Sequence, residues 1–248
     1  MILSVAHKFV LVRGRKVAGT SVEIALSTIC GPDDIVSPLI GVDERRRQAL
    51  NGRCGNYSSD PVWEAAYAAL VSQTPLDQLH RLHKPPARYA AHTSLSQICA
   101  QYPGSLDGFQ VLCLARHPYA RVLSALNMQR TFGAYQRGDR MRSEPQTWAR
   151  AFDNAVGSGA LALLMNMELY RGVTGAMTMR VLRYEHLQDD FDAFTAALGV
   201  CRRVALPHAK KGLMSNRLNA AQILRRDQLD AINEMFSEEF EVFGYPRQ

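Results

Sequence analysis

Lys8-Phe9-Val10-Leu11-Val12-Arg13-Gly14-Arg15-Lys16-Val17-Ala18-Gly19-Thr20-Ser21 is the stretch on which the reading of this chain turns. Lys8 to Val12 is a short apolar run that stops at Gly14, the pattern of a buried strand. Beyond it, Val22, Ile24, Ala25 and Leu26 predict a helix from Thr20 to about Ile29, ended by Gly31-Pro32. A strand, a glycine-bearing turn and a helix N-terminus together make an anion site. Backbone N–H groups and the helix dipole converge there, and the hydroxyls of Thr20 and Ser21 add donors. The plainer alternative is an ordinary strand-to-helix turn with a capped helix.

Working outward, Asp33 to Asp60 carries Pro, Gly and Asn residues and the run Arg45-Arg46-Arg47, and reads as a loop-rich insertion with one short helix. Trp63 to Val71 reads as helix. Pro85-Pro86 breaks the chain before an extended piece at Arg88 to Ala91. Thr93 or Ser94 then caps a helix to about Tyr102, with Gln97 three residues after Ser94 as in a capping box. Gln110 to Ala115 is the clearest buried strand, and Pro118 opens a helix to about Arg130. The polar, basic stretch 133–142 reads as a loop, followed by a helix over 145–156. Met179 to Arg183 predicts a strand, Asp190 to Leu198 a helix closed by Gly199, and 219–240 a final helical stretch. This alternation predicts a single α/β domain over residues 1–248, with a central parallel sheet flanked by helices on both faces.

With 248 residues, 47% hydrophobic and 21% charged, the chain is long and apolar enough for a real core and reads as an ordinary globular protein, with disorder not the default. A net charge of +6 suits a polyanionic small ligand, a nucleic acid or a membrane surface without separating them. No apolar run approaches the roughly 18 residues of a membrane span, and the first residues lack a signal-peptide core. Cys30, Cys54, Cys99, Cys113 and Cys201 are odd in number, scattered, and form no CxxC pair. Free thiols in a reducing, cytoplasmic setting are the expectation.

The loop can be compared with the nucleoside triphosphatase pattern GxxxxGK[ST]. Gly14 and Gly19 have its spacing, but Thr20 stands where the lysine belongs and the lysine sits earlier, at Lys16. That departure argues against an ATPase or ordinary kinase. A second element follows the second strand: Arg116-His117-Pro118-Tyr119-Ala120-Arg121, then Ser124. There Arg116 can offer a guanidinium fork to a phosphate.

Together these elements resemble the sulfotransferases that use 3′-phosphoadenosine 5′-phosphosulfate. Lys16 to Ser21 (KVAGTS) resembles their 5′-phosphosulfate loop, PKTAGTS, with Arg15 in place of the proline and Val17 in place of the threonine. The segment from Arg116 to Ser124 resembles their 3′-phosphate element, R-[DNH]-P-Y-x-R-x-x-S. Weaker likeness lies in Leu182 to Leu187 (LRYEHL), Leu206-Pro207-His208 and the closing Phe243-Gly244-Tyr245. The resemblance is closest to carbohydrate-type and bacterial members.

The resemblance implies a P-loop-like three-layer fold and sulfuryl transfer to a hydroxyl or amine, leaving 3′-phosphoadenosine 5′-phosphate, with no metal required. Lys16 would neutralise the bridging oxygen. Arg15, Ala18, Gly19, Thr20 and Ser21 would surround the 5′-phosphate, Arg116 and Ser124 would take the 3′-phosphate, and Lys210-Lys211 would lie over the nucleotide. His92, in a YxxHxS setting found in some uronyl sulfotransferases, is the first candidate for the base that a hydroxyl acceptor needs, or else helps cap its helix. Glu23 is the second, or a first-turn glutamate favoured by the dipole. The implied partner is a small-molecule or glycan acceptor, with peripheral membrane contact if that is a glycolipid, and no nucleic acid.

Other features are weaker. His80 and His83 have i, i+3 spacing but no carboxylate or cysteine partner, and read as a solvated face. Arg45 to Arg47 and the arginines of 137–142 could receive an anionic acceptor. Rival readings are a phosphotransferase, a nucleic-acid-binding module, and a non-catalytic nucleotide-binding protein of the same fold.

Overall fold

The computed structural model describes residues 1–137, 145–172, 176–207 and 219–248, and their side chains except those of 130–137 and 145–147. Five strands, β1 Ile2–Ser4, β2 Phe9–Leu11, β3 Ile35–Val36, β4 Gln110–Ala115 and β5 Thr178–Arg183, form one sheet in the order β3-β1-β2-β4-β5. The helices are α1 Gly19–Ser27, α2 Gly41–Ala49, α3 Pro61–Gln73, α4 Leu95–Gln101, α5 Pro118–Arg137, α6 Pro145–Gly157, α7 Met167–Tyr170, α8 Leu187–Ala197, α9 Ala220–Ile223, α10 Arg226–Met235 and α11 Ser237–Phe243. The chain is therefore α/β.

The sheet is mixed, not parallel throughout. β2 runs parallel to β4, with Phe9 opposite Gln110 and Leu11 opposite Leu112, but β1 is antiparallel to both β2 and β3. The cause is a hairpin between β1 and β2 that no local turn signal announces. Asp34, 30 residues beyond Ser4, accepts hydrogen bonds from Ser4 Oγ (2.9 Å), Val5 N (2.7 Å) and Ala6 N (3.3 Å). A distant carboxylate builds this turn in place of an Asn-Gly pair.

The chain divides into two compact units: Met1–Gly14, Ala18–Leu114 and Glu168–Ala209 in the first, Arg15–Val17, Ala115–Met167 and Lys210–Gln248 in the second. The first holds the sheet. Its core joins Leu3, Phe9, Leu11, Val111 and Leu112 with Val22 and Leu26 of α1 and Phe191 and Phe194 of α8, all fully buried. Phe9 meets Phe194 edge to face at 5.6 Å. The second is helical, with Val122 and Leu126 of α5, Trp148 and Phe152 of α6 and Leu229 and Ile232 of α10 at its centre.

Three expectations about element extent need correction. The segment 33–60 contains β3, a strand not anticipated there, besides the one short helix, α2, which buries Asp43, Glu44 and Arg47 and so lacks apolar periodicity. α5 continues to Arg137, past the expected end near Arg130, and 138–144 lie outside the described residues. The stretch 219–240 is three helices, interrupted where Leu224 turns extended (φ −100°, ψ 150°) and again at Phe236. The capping box of Ser94 and Gln97 is present, and Gly244 closes α11 at φ 63°.

Within the first unit, α1 is tied to α2 by one carboxylate. Glu23 Oε2 accepts from Arg13 Nη1 at 2.8 Å, and Glu23 Oε1 accepts from Arg47 Nη2 at 3.0 Å and Ser37 Oγ at 2.8 Å. The Met1 ammonium lies 3.3 Å away. Arg47 is itself fully buried, with Glu44 at 2.9 Å and the Ser37 carbonyl at 3.0 Å. This corrects the reading of Glu23 as a second candidate base. Burial pushes its carboxyl up, but the surrounding ammonium and guanidinium groups outweigh burial and bring it down to about 2. A carboxylate so deep, and so stabilised as an anion, neither reaches an acceptor nor takes its proton.

Glu23→Gln should therefore destabilise the protein by about 3–5 kcal/mol, because it leaves Arg13 without its carboxylate and buried Arg47 with Glu44 alone. The stability that Glu23 supplies is complete above its unfolded-state value of about 4.3 and is lost as pH falls from there toward 2. Urea unfolding from pH 2 to 7 tests this: the acid-dependent loss should be smaller in the variant. Wild-type stability in Glu23→Gln would show that the carboxylate is not the tie.

Candidate functional site

β2 and β4 end at the same edge of the sheet, where Val12 N donates to Leu112 O at 3.0 Å. In parallel strand pairs, that carboxyl edge is where ligand loops gather. From β2 the chain leaves through Arg13 and Gly14, and α1 starts at Gly19.

The start of α1 has an unusual cap. Ala18 is left-handed (φ 64°, ψ 19°) and supplies no side-chain cap, while Ser21 N donates to its carbonyl at 3.0 Å. A left-handed residue followed by right-handed ones turns successive N–H groups toward one side, a concavity suited to an anion. A Cβ at Gly19 would stand 2.6 Å from Arg13 Cγ, so a larger residue there would push the Arg13 side chain aside. Thr20 is nearly buried and Ser21 half-buried. Arg13 therefore acts twice, since its guanidinium holds Glu23 while its stem covers Gly19.

Its carbonyl has a third role. His92 Nδ1 lies 2.8 Å from Arg13 O, so the ring donates its Nδ1 hydrogen there. In the neutral ring the basic lone pair is then on Nε2. Ser94 and Gln97 form the cap of α4, and Thr93 Oγ1 donates to Ala90 O at 2.9 Å. The capping role considered for His92 thus belongs to Ser94. His92 also lines an open cleft together with Lys84, Arg88 and Gln101.

The residues between Gly14 and Ala18 are held by the second unit. Asn166, fully buried, brackets Arg15: its Oδ1 accepts from Arg15 N at 2.7 Å and its Nδ2 donates to Arg15 O at 3.1 Å. Asn166 N in turn donates to Glu239 Oε1 at 3.0 Å, and Glu239 pairs with buried Arg121, whose guanidinium lies over the Phe236 ring at 4.7 Å. Lys16 has positive φ (61°), and its Nζ lies 3.3 Å from Met128 Sδ. Arg116, following β4 in the chain, donates from Nη1 to Lys16 O at 3.2 Å. Ser124 is half-buried on α5. Burial lowers the Arg15 guanidinium from its ordinary value.

Among the sequence-predicted residues, the second unit brings together Arg15, Lys16 and Arg116, and the first brings Gly19 and His92 onto Arg13. Lys210, Lys211 and His208 lie outside the described residues. Sequence reasoning missed Asn166, Lys84 and Gln101, none of which belongs to a recognisable motif.

The run Arg45 to Arg47 is not an acceptor patch, and that expectation is corrected. Arg45 donates to the Val71 and Thr74 carbonyls at the end of α3, Arg46 pairs with Asp43 at 3.1 Å, and Arg47 is buried on Glu23 and Glu44. Among the described residues there is no group of three His, Cys, Asp or Glu side chains placed to hold a metal, and no helix long and apolar enough to cross a membrane. The chain matches no family model, and no curated protein or solved structure matches it significantly.

Proposed function

We propose that the protein is a sulfotransferase of P-loop-like fold that moves a sulfuryl group from 3′-phosphoadenosine 5′-phosphosulfate to an acceptor hydroxyl. The observation that carries this reading is the hydrogen bond from His92 Nδ1 to Arg13 O. It seats a histidine, with Nε2 as its basic atom, against the first residue of the loop that bears Lys16. A protein that only binds nucleotide has no use for an oriented base in that place, and an ordinary phosphate loop carries its lysine after the last glycine. The left-handed Ala18, the crowded Gly19 and the hydroxyls of Thr20 and Ser21 fit a phosphate at the start of α1.

The reaction is a displacement at sulfur. The acceptor oxygen attacks in line, a new S–O bond forms, and the bond from sulfur to the 5′-phosphate oxygen breaks with its electron pair staying on that oxygen. Lys16 stabilises the charge that develops there, and the N–H groups at Gly19, Thr20 and Ser21 hold the phosphate. His92 Nε2 takes the acceptor proton. Arg116 and Ser124 take the 3′-phosphate, the group that separates this donor from ATP. Arg15 acts through its backbone, with Asn166 fixing the loop ahead of Lys16. No step requires a metal.

Two sets of measurements test this reading. 3′-Phosphoadenosine 5′-phosphate should raise the melting temperature well above the shift given by AMP or ATP, and Arg116→Ala should remove most of the difference. Equal shifts with AMP would overturn the assignment of Arg116 and Ser124.

Turnover supplies the second set. Lys16→Ala should lower it by roughly 10²–10³-fold in a folded protein. His92→Ala should lower it by roughly 10²–10⁴-fold and abolish the acidic limb of the pH–rate profile, with donor affinity retained. An active His92→Ala enzyme with an unchanged pH profile would remove His92 from the chemistry.

A further inference from the structure

Lys16 is held along its backbone on both sides. Asn166 brackets Arg15 just before it, and Arg116 Nη1 donates to the Lys16 carbonyl at 3.2 Å. With φ held at 61° in this way, the side-chain torsions decide where the ammonium goes. In the structure the ammonium rests against a thioether, with Nζ 3.3 Å from Met128 Sδ. Met128 stands four residues after Ser124 on α5, so the two share one face of that helix. All of these residues belong to the second unit.

A thioether is a weak acceptor for a charged donor, and this one is open to reagents in solvent. Met128 is 46% exposed, and among the described residues only Met179, at 43%, is comparable. Met165, Met167, Met177 and Met235 are half-buried, and Met1 is buried. Met179 lies on β5 in the first unit. The thiols of Cys30, Cys54 and Cys113 are pushed up by burial, so they hold little thiolate for a peroxide to attack. Hydrogen peroxide oxidises a thioether by transfer of one oxygen. The sulfur lone pair forms the new S–O bond, the O–O bond breaks, and the departing hydroxide takes the remaining proton and leaves as water. Sulfur loses two electrons and the peroxide gains them. The product is a polar sulfoxide, with a strong acceptor oxygen one bond length beyond the sulfur.

We propose that Met128 is an oxidation site, and that its sulfoxide captures the Lys16 ammonium and withdraws it from the donor. The inference rests on the reading of Lys16 as the residue that meets the leaving oxygen. A sulfoxide oxygen on an ammonium makes a charge-assisted hydrogen bond, stronger than the sulfur contact it replaces. The ammonium then has to break that bond before it can reach the leaving oxygen, so turnover falls. A methionine sulfoxide reductase, with a thiol as its source of electrons, returns the thioether and reverses the capture. The unoxidised thioether holds the ammonium near α5 without competing with a charged oxygen.

Treatment of the full chain with hydrogen peroxide tests this, followed by a reducing thiol that restores reversibly oxidised cysteines and leaves sulfoxides in place. Peptide mapping should show Met128 oxidised at least as fast as Met179. The reactivity of Lys16 toward trace acetic anhydride, read against exposed Lys8 in the same sample, should then fall about fivefold, and the reductase should restore it. Met128→Leu should keep its Lys16 reactivity through the treatment. Met128→Gln, which puts an amide oxygen near the sulfoxide position, should show the lowered reactivity with no oxidant. Release of sulfate from 3′-phosphoadenosine 5′-phosphosulfate, with water as acceptor, reads the consequence, each protein being compared with its own untreated sample. It should fall about tenfold in wild type and in Met179→Leu and change less than about twofold in Met128→Leu. Undiminished Lys16 reactivity in oxidised wild type, an equal drop in Met128→Leu, or unchanged sulfate release with Lys16 captured would each overturn the inference. Lys16→Ala separates the two levels. If that variant releases sulfate far more slowly while peroxide leaves wild type unaffected, only the Met128 assignment falls. If it releases sulfate at the wild-type rate, the donor role of Lys16 falls, and with it the consequence drawn from Met128.

Discussion

The carboxylate of Glu23 is the constraint on which the candidate site depends. Two guanidinium groups converge on this fully buried carboxylate, and removing it would leave several cations short of a counter-charge. The arrangement also fixes Arg13 in one conformation. Once that side chain points to Glu23, its stem lies over Gly19 and its carbonyl is available to His92. A buried ion pair that contributes little net stability can still enforce one geometry, and here that geometry includes a histidine and the start of a helix.

The second unit uses the same device at Glu239. This carboxylate holds Arg121 on one side and the Asn166 backbone on the other, and Asn166 clamps Arg15 by both its N–H and its carbonyl. The clamp fixes the backbone just ahead of Lys16, where φ is positive for a residue with a side chain. Such a conformation costs of order 1–3 kcal/mol and persists only where neighbours impose it. Arg121 and Arg116 stand five residues apart in one motif yet do different things, Arg121 packing buried on Glu239 and Phe236 and Arg116 touching the Lys16 carbonyl. Motif spacing alone gives no means of telling them apart.

How much was legible in the sequence follows from where each interaction lies along the chain. β4, α1, α6 and the Ser94 capping box rest on local periodicity and short-range hydrogen bonds, and all were readable. The β1–β2 hairpin depends on Asp34 and leaves no local signature, while α2, whose Arg47 is buried on Glu23, was legible as a short helix but not as an ion-paired one. In the candidate site, Lys16, Gly19 and Arg116 could be singled out because each follows a strand end within a short local pattern. His92 was recognisable as a residue type but not as a partner of Arg13, 79 residues away. Asn166 was invisible, because an asparagine that clamps a loop 151 residues earlier looks like any other polar residue.

The arginines carry the more general argument. A chain with net charge +6 invites the view that its densest basic run meets its anionic ligand. Arg45, Arg46 and Arg47 instead satisfy helix-end carbonyls and buried carboxylates, work for which a rigid, many-donor guanidinium is better suited than an ammonium. Lys16, by contrast, lies in the turn between β2 and α1, where its Nζ is 3.3 Å from Met128 Sδ. An ammonium is a compact charge that shifts readily when desolvated, which suits a group that must respond to charge appearing on a bound molecule. The density of a basic run therefore says little about where an anion would bind, because Arg45, Arg46 and Arg47 are taken up by the frame.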